Sequence, residues 1–193
     1  ENMQAVLMAY LPSNQGGLAI TDILFGDVNP SGKLPFTYPI AANMLFHYDH
    51  KYSENYAFAV QYPFGFGLSY TTFQYKNLSL DKKQLRGHEA VKVTVQVTNT
   101  GMRPGQEVVQ LYSGDLFASL APSVKRLRGF SKIELQPGET KTVTFTLTAA
   151  DLAFVTQKNQ KLAERGTFEI TVGDLKDSLE LVEDVNFATK SCQ

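Results

Sequence analysis

The stretch Val91-Lys92-Val93-Thr94-Val95-Gln96-Val97-Thr98-Asn99-Thr100-Gly101 decides the fold. Four valines alternate with Lys, Thr, Gln and Thr, a period of two that puts one apolar face inward and one polar face outward on a strand. Asn99-Thr100-Gly101 then turns the chain. Working outward, the same grammar recurs. Phe73 to Leu80 reads as a strand before it. Glu107 to Ser113 reads as a strand after it, with Val108, Gln110 and Tyr112 on one face and Val109 and Leu111 on the other. Leu127 to Leu135 follows, and Pro137-Gly138-Glu139 is a turn. Val143, Phe145 and Leu147 alternate with threonines, Phe168, Ile170 and Val172 follow Arg165-Gly166, and the last strand runs roughly from Leu179 to Phe187. About seven short strands separated by turns predict a mainly β chain folded as an immunoglobulin-like β-sandwich. It is not of the antibody type, because the chain has one Cys and no Trp.

The first forty residues have a different pattern. Ala5 to Leu11 is a continuous apolar run, expected as a strand buried on both faces. Pro12 to Gly17 is a loop, Leu18 to Phe25 a short helix with Ile20, Ile23 and Leu24 on one face, and Lys33 to Tyr38 a further extended segment. One two-sided strand and one helix cannot cover each other, so this piece is expected to be a fragment of an α/β sandwich domain that docks on something else. Residues 40–70 are crowded with Tyr, His, Phe and Asn, and read as an ordered connecting loop. The expected organisation is 1–39 for the α/β fragment, 40–70 for the connector, 71–188 for the sandwich and 189–193 for a tail.

Composition narrows the function classes. The chain has 193 residues, a net charge of -1 and 43% hydrophobic residues. No basic excess is present to neutralise phosphates, which argues against a nucleic-acid partner. No apolar run approaches the roughly 18 residues that span a bilayer, so no membrane partner is expected. Cys192 alone cannot form an internal disulfide. His47, Asp49 and His50 lie close together, but no further ligand completes a shell, so no metal and no cofactor is expected. Gly65-Phe66-Gly67-Leu68-Ser69-Tyr70 lacks the third glycine and the strand-then-helix setting of a dinucleotide loop. Asn77-Leu78-Ser79 fits a glycosylation sequon. Lys125, Arg126 and Arg128 read as a solvated strand edge. Asp22, Asp27, Asp49, Glu54, Glu107 and Asp151 fall in turns, loops or exposed strand positions, and none is read as catalytic.

Several ordered motifs carry a resemblance. Gly16-Gly17-Leu18-Ala19-Ile20-Thr21-Asp22-Ile23-Leu24-Phe25-Gly26-Asp27-Val28-Asn29-Pro30-Ser31-Gly32-Lys33-Leu34-Pro35 resembles a stretch of glycoside hydrolase family 3, which includes β-glucosidases and β-xylosidases. Tyr62 to Thr71 resembles the entry into that family's fibronectin type III-like domain. Val97 to Gly101, Glu107 to Tyr112, Leu127 to Phe130 and Leu135 to Thr140 resemble that domain in its usual order. The resemblance implies a parent with a (β/α)₈ barrel, an α/β sandwich and then this sandwich. It implies retaining chemistry by two carboxylates carried on the earlier domains. No catalytic residue is therefore carried over to this chain. It would be the non-catalytic C-terminal portion of a secreted or periplasmic β-glucosidase-like enzyme, partnered by the parent's barrel and α/β sandwich and, through them, by the glycoside substrate.

The loop that usually reads Pro-Gly-x-Glu-Gly-Gly is here Pro12-Ser13-Asn14-Gln15-Gly16-Gly17, which exchanges a charge for an amide. Asn14 and Gln15 are thus candidate contacts at the edge of the parent's sugar cleft. His47, Tyr48 and Tyr52 of the connector are the others, with Phe46 and Tyr56 as neighbouring rings. Two further readings stand beside this one. The first is a free-standing carbohydrate-binding or adhesive β-sandwich module, whose signature would be an exposed aromatic row. The second is one half of a split enzyme.

Overall fold

The computed structural model describes residues 3–42, 48, 60–120 and 125–187. The sandwich is built as expected from alternation. Its smaller sheet joins β3 (Phe73–Leu80), β5 (Ala90–Asn99) and β8 (Thr140–Thr148) in the order β3-β5-β8. Its larger sheet joins β4 (Gln84–Leu85), β6 (Gly105–Asp115), β7 (Arg126–Leu135), β11 (Gly166–Val172) and β12 (Leu175–Leu181) in the order β4-β12-β11-β6-β7. All pairings except the parallel β4–β12 contact are antiparallel within these two sheets.

The inner faces meet in one core. Val91, Val93, Val95 and Val97 are fully buried and face Val109, Leu111, Phe168, Ile170, Val172, Leu179 and Leu181 from the other sheet. Each such side chain contributes about 1.5–3 kcal/mol by leaving water. On the outer face of the smaller sheet the threonines pair across strands. Thr98 and Thr140 place their hydroxyls 2.7 Å apart, and Thr94 and Thr144 place theirs 3.4 Å apart.

Asn99 ends β5 and is fully buried. Its Oδ1 accepts from Thr71 Oγ1 at 2.7 Å and from the Gly101 amide at 3.1 Å. Its Nδ2 donates to the carbonyls of Arg103 at 2.8 Å and Leu135 at 3.0 Å. A buried amide side chain is tolerated because all these groups are satisfied at once. The Asn-Thr-Gly turn is therefore a hub that joins the strand 71–80 entry, the β5–β6 loop and the end of β7.

The remaining elements are short. α2 (Ala149–Leu152) opens with a capping box between Thr148 and Asp151. β9 (Phe154–Val155), β10 (Lys161–Ala163) and β13 (Val185–Phe187) form a small sheet in the order β13-β10-β9. The expected last strand, Leu179 to Phe187, is in fact divided. Val182–Asp184 break it, so its first part completes the β11–β12 hairpin and its second part joins the small sheet. Asn77 sits in the left-handed region (φ 56) at a bulge of edge strand β3, which disturbs the pairing between Lys76 and Ser79.

The N-terminal segment departs most from expectation. α1 (Gly16–Phe25) forms, but none of its residues is buried. Ala5 to Leu11 forms no strand. A strand exists only where another strand completes its ladder, and among the described residues none lies beside it. The Lys33–Tyr38 segment reaches strand pairing only at its end, where β1 (Tyr38–Pro39) pairs with β2 (Val60–Tyr62).

Replacing Asn99 by Ala leaves the Gly101 amide and the Arg103 and Leu135 carbonyls without that partner. Each unmet group costs about 1–3 kcal/mol. The expected loss is about 3 kcal/mol in urea unfolding, whereas Thr142→Ala on the outer face changes stability by less than about 0.5 kcal/mol.

Candidate functional site

The place where the N-terminal segment meets the sandwich has the densest chemistry. Lys33 follows the Asn29-Pro30-Ser31-Gly32 turn and points at Glu107 of β6, Nζ to Oε2 at 3.1 Å, with both side chains nearly buried. Glu107 is 6% exposed, so the expectation of an exposed strand acid is corrected. Its alternation in β6 aims it inward together with Val109 and Leu111, and Lys33 covers it. Tyr75 of β3 donates its hydroxyl to Glu107 Oε1 at 2.8 Å, and Lys33 Nζ also donates to the Gly67 carbonyl at 2.9 Å. Oε2 meets the ammonium as an ion pair, without a well-aligned hydrogen bond. Burial, and then the neighbouring Glu107 carboxylate, push the Tyr75 phenol far above its ordinary range.

Hydrogen bonds extend this joint to the helix. Asn29 Oδ1 accepts from Ser69 Oγ and the Tyr70 amide, both at 2.8 Å, and Asn29 Nδ2 donates to the Pro104 carbonyl at 2.9 Å. Tyr70 donates its hydroxyl to the Ile23 carbonyl of α1 at 2.6 Å. The Leu34 amide donates to the Phe66 carbonyl at 2.7 Å, and the Gly65 amide donates to the Leu34 carbonyl at 2.8 Å. Close approach explains the glycines of Pro63-Phe64-Gly65-Phe66-Gly67. A Cβ at Gly67 would lie 2.1 Å from the Gly32 carbonyl oxygen. One at Gly65, which has φ +85, would lie 2.3 Å from both Gln110 Oε1 and the Tyr112 hydroxyl.

Aromatic rings flank the joint. Phe64 is buried and packs edge-on against Tyr112 (5.4 Å between centroids) and Tyr48 (5.1 Å). Tyr62 stacks on Phe66 at 5.0 Å. Lys125 enters this cage with Nζ 4.4 Å from the Tyr112 ring centre and donates to the Phe64 carbonyl at 3.0 Å. Burial pulls the Lys125 ammonium below its usual value. Burial, with Tyr48 nearby, pushes the Tyr112 phenol up to about 12. The expected solvated basic edge is therefore corrected. β7 is an edge strand, but Lys125 and Arg128 are half-buried, and Arg128 Nε donates to Ser113 Oγ at 2.7 Å.

Of the predicted cleft-edge residues, Tyr48 joins this ring cluster while remaining half exposed. Asn14 and Gln15 form an exposed turn ahead of α1. Gln15 is the N-cap residue, without a side-chain cap. Among the described residues, no hydrogen bond joins their side chains to the ring cluster. His47 and Tyr52 lie outside the described residues, as do Phe46, Asp49, His50, Glu54 and Tyr56. Sequence reading missed the Lys33–Glu107 pair, and the signal was a Glu at an inward-facing position of β6.

Two further acids, Asp115 and Glu164, are engaged by backbone amides. Burial raises the Asp115 carboxyl, with a smaller push from Glu164. Yet Asp115 Oδ1 accepts from the Phe117 amide at 3.1 Å, and Glu164 Oε2 accepts from the Ser119 amide at 2.8 Å, so this pair holds the β6–β7 loop. Among the described residues no group of three or more His, Cys, Asp or Glu could hold a metal ion.

Residues 1–70 match the family model of the glycosyl hydrolase family 3 C-terminal domain, and residues 107–176 match that of the fibronectin type III-like domain. The chain is 44% identical over 188 residues to a lysosomal beta glucosidase of Dictyostelium discoideum, covering 92% of this chain and 23% of the relative. It is 40% identical over 190 residues to a periplasmic beta-glucosidase of Salmonella typhimurium, covering 90% and 25%. Among solved structures it resembles a beta-glucosidase from Listeria innocua in complex with glucose, with a TM-score of 0.80, 32% identity and coverage of 89% and 27%. A β-glucosidase from Erythrobacter marinus gives a TM-score of 0.78, 38% identity and coverage of 86% and 24%. The chain thus spans about a quarter of the length of the curated relatives it matches.

Two outcomes test the joint. Lys33→Met leaves the Glu107 carboxylate buried beside Tyr75 alone and costs about 3 kcal/mol in urea unfolding, while Lys33→Met with Glu107→Leu recovers much of that loss. Stability also responds to alkali. Tyr112 keeps its proton in both states below pH 10. Between its unfolded value of 10.0 and its folded value of about 12 the unfolded chain ionises first, so stability falls across that window. Urea midpoints from pH 8 to 12 follow the fall, and it is shallower in Tyr112→Phe.

Proposed function

Since the chain belongs to glycoside hydrolase family 3, as its C-terminal domain region and fibronectin type III-like domain, we propose that it is the non-catalytic buttress of a retaining β-glycosidase. The parent would act on terminal β-linked sugars in the manner of a β-glucosidase. One observation carries this reading. The N-terminal segment exposes Leu11 at 98%, Phe25 at 82%, Val6 at 68% and Leu24 at 65% to solvent, beside Leu7, Met8, Tyr10 and Leu18. An apolar surface of this kind marks a docking face. It is the face that the rest of an α/β sandwich would cover, with a neighbouring strand completing the ladder along Ala5 to Leu11.

The residues at the joint say how the buttress works. Tyr70, Asn29, Lys33 and Leu34 tie α1 and the segment after it to the sandwich. A partner seated on the apolar face is then held against the sandwich through short polar contacts, of which the Lys33–Glu107 pair is nearly buried. Asn14, Gln15, Tyr48 and, in the connector, His47 and Tyr52 are proposed contacts at the edge of the parent's sugar cleft. Retaining hydrolysis needs two carboxyls about 5 Å apart in that cleft, and we assign both to the parent's other domains. Among the described residues no helix is long and apolar enough to cross a membrane. Relatives carry periplasmic and lysosomal names. We place the parent in a secreted or periplasmic compartment.

The purified chain should release no chromophore from a chromogenic β-glucoside above the buffer rate. Turnover that disappears in Asp115→Asn or Glu164→Gln would assign the chemistry to this chain and end the buttress reading.

A further inference from the structure

Asn77-Leu78-Ser79 is a complete sequon, with an asparagine, a middle residue other than proline and a hydroxyl two positions on. The sequence holds no second one, because Asn29-Pro30-Ser31 has proline in the middle place. The structure sets this triplet apart from an accidental match. β3 is an edge strand of the smaller sheet, and its pairing with β5 slips between Lys76 and Ser79. At that bulge Asn77 takes φ 56, a left-handed conformation that asparagine adopts more readily than most residues with a side chain.

The bulge sorts the three side chains. Leu78 packs against the sandwich core, whereas Asn77 and Ser79 are both exposed. Asn77 Nδ2 donates to Gln96 Oε1 at 2.7 Å, which holds the carboxamide over the outer face of the sheet. The left-handed backbone accounts for an asparagine at 77 but not for a hydroxyl at 79. Among the described residues the Ser79 side chain makes no hydrogen bond. The face beside it is polar. Lys76 lies opposite Gln96 and Gln96 opposite Thr142, while Ser79 lies opposite Thr94 and Thr94 opposite Thr144. A glycan laid over these two rows meets hydroxyls and amides that can hydrogen-bond to it, so no polar group is left unmet beneath it.

We propose that Asn77 is the acceptor of an N-linked glycan, transferred from a lipid-linked oligosaccharide diphosphate. Nδ2 forms a bond to C1 of the first sugar and the bond from C1 to the diphosphate oxygen breaks. The lipid diphosphate leaves, and one Nδ2 proton passes to a base of the transferase. The remaining N–H still reaches Gln96, so the geometry at the bulge survives the modification. The glycan also shields an open sheet edge, where strands of other molecules would otherwise pair. For its occurrence in the cell the proposal rests on the secreted reading of the parent, and it is independent of the buttress role.

The test is to secrete the full chain from a eukaryotic cell that transfers such oligosaccharides. It should carry one glycan, on the peptide that contains Asn77. An amidase that cleaves the glycan–asparagine bond in heavy-oxygen water should leave a labelled aspartate at position 77. Ser79→Ala should abolish the glycan and Ser79→Thr should keep it. Residue 79 is exposed, and melting curves like that of the unsubstituted chain verify that both variants are folded. The secretory host supplies the compartment, so failure counts against the site and leaves the parent's location as it was. The proposal is overturned if the secreted, folded chain carries no glycan, if the glycan persists in Ser79→Ala, if Ser79→Thr loses it, or if only unfolded, retained chain is glycosylated.

Discussion

Glu107 is a carboxylate held inside the protein, and the junction depends on making that tolerable. An isolated buried charge would cost several kcal/mol. Lys33 supplies the opposite charge from the segment before the sandwich, and Tyr75 supplies a donor from β3. Each partner comes from a different part of the chain, so the pair forms only when all three are in place. A buried ion pair of this kind adds little net stability compared with apolar packing, but losing one member is severe. It serves best as a register device, fixing where the segment after α1 lies on the edge of the sandwich.

The other polar contacts at the junction follow the same logic at lower cost. Asn29, Ser69 and Tyr70 exchange hydrogen bonds across a sequence separation of about forty residues, and Asn99 gathers the loops at the same end of the sandwich. The glycines at 65 and 67 let two backbones approach where a side chain would collide. The ring cluster of Phe64, Tyr112 and Tyr48 with Lys125 then closes the side of the joint. The result is asymmetric. One side of the N-terminal segment is tied down, and the other presents bare apolar side chains. A domain that holds a second domain in place needs that combination of a fixed root and an unsatisfied face.

The same principle of committed polar groups applies to four acids of the sandwich. Asp151 caps α2, Asp115 and Glu164 hold a loop, and Glu107 is paired. Each of these four commits at least one carboxylate oxygen to the protein itself.

The sandwich was legible in the sequence because alternation is a local property. Val91 to Val97 announce one buried face without reference to any other residue, and the turns at Asn99-Thr100-Gly101 and Pro137-Gly138 mark where strands end. The apolar character of Ala5 to Leu11 was equally plain, and so was its need for a partner. Whether it becomes a strand was not, since a ladder is a property of two chains of hydrogen bonds and only the neighbour decides it. The inward Glu107 and its meeting with Lys33, 74 positions earlier, likewise belong to the tertiary structure alone. So does the enclosure of Lys125 by rings. Sequence determines which residues want to be buried or paired, and only the packed chain decides with whom, because contact depends on distance in space.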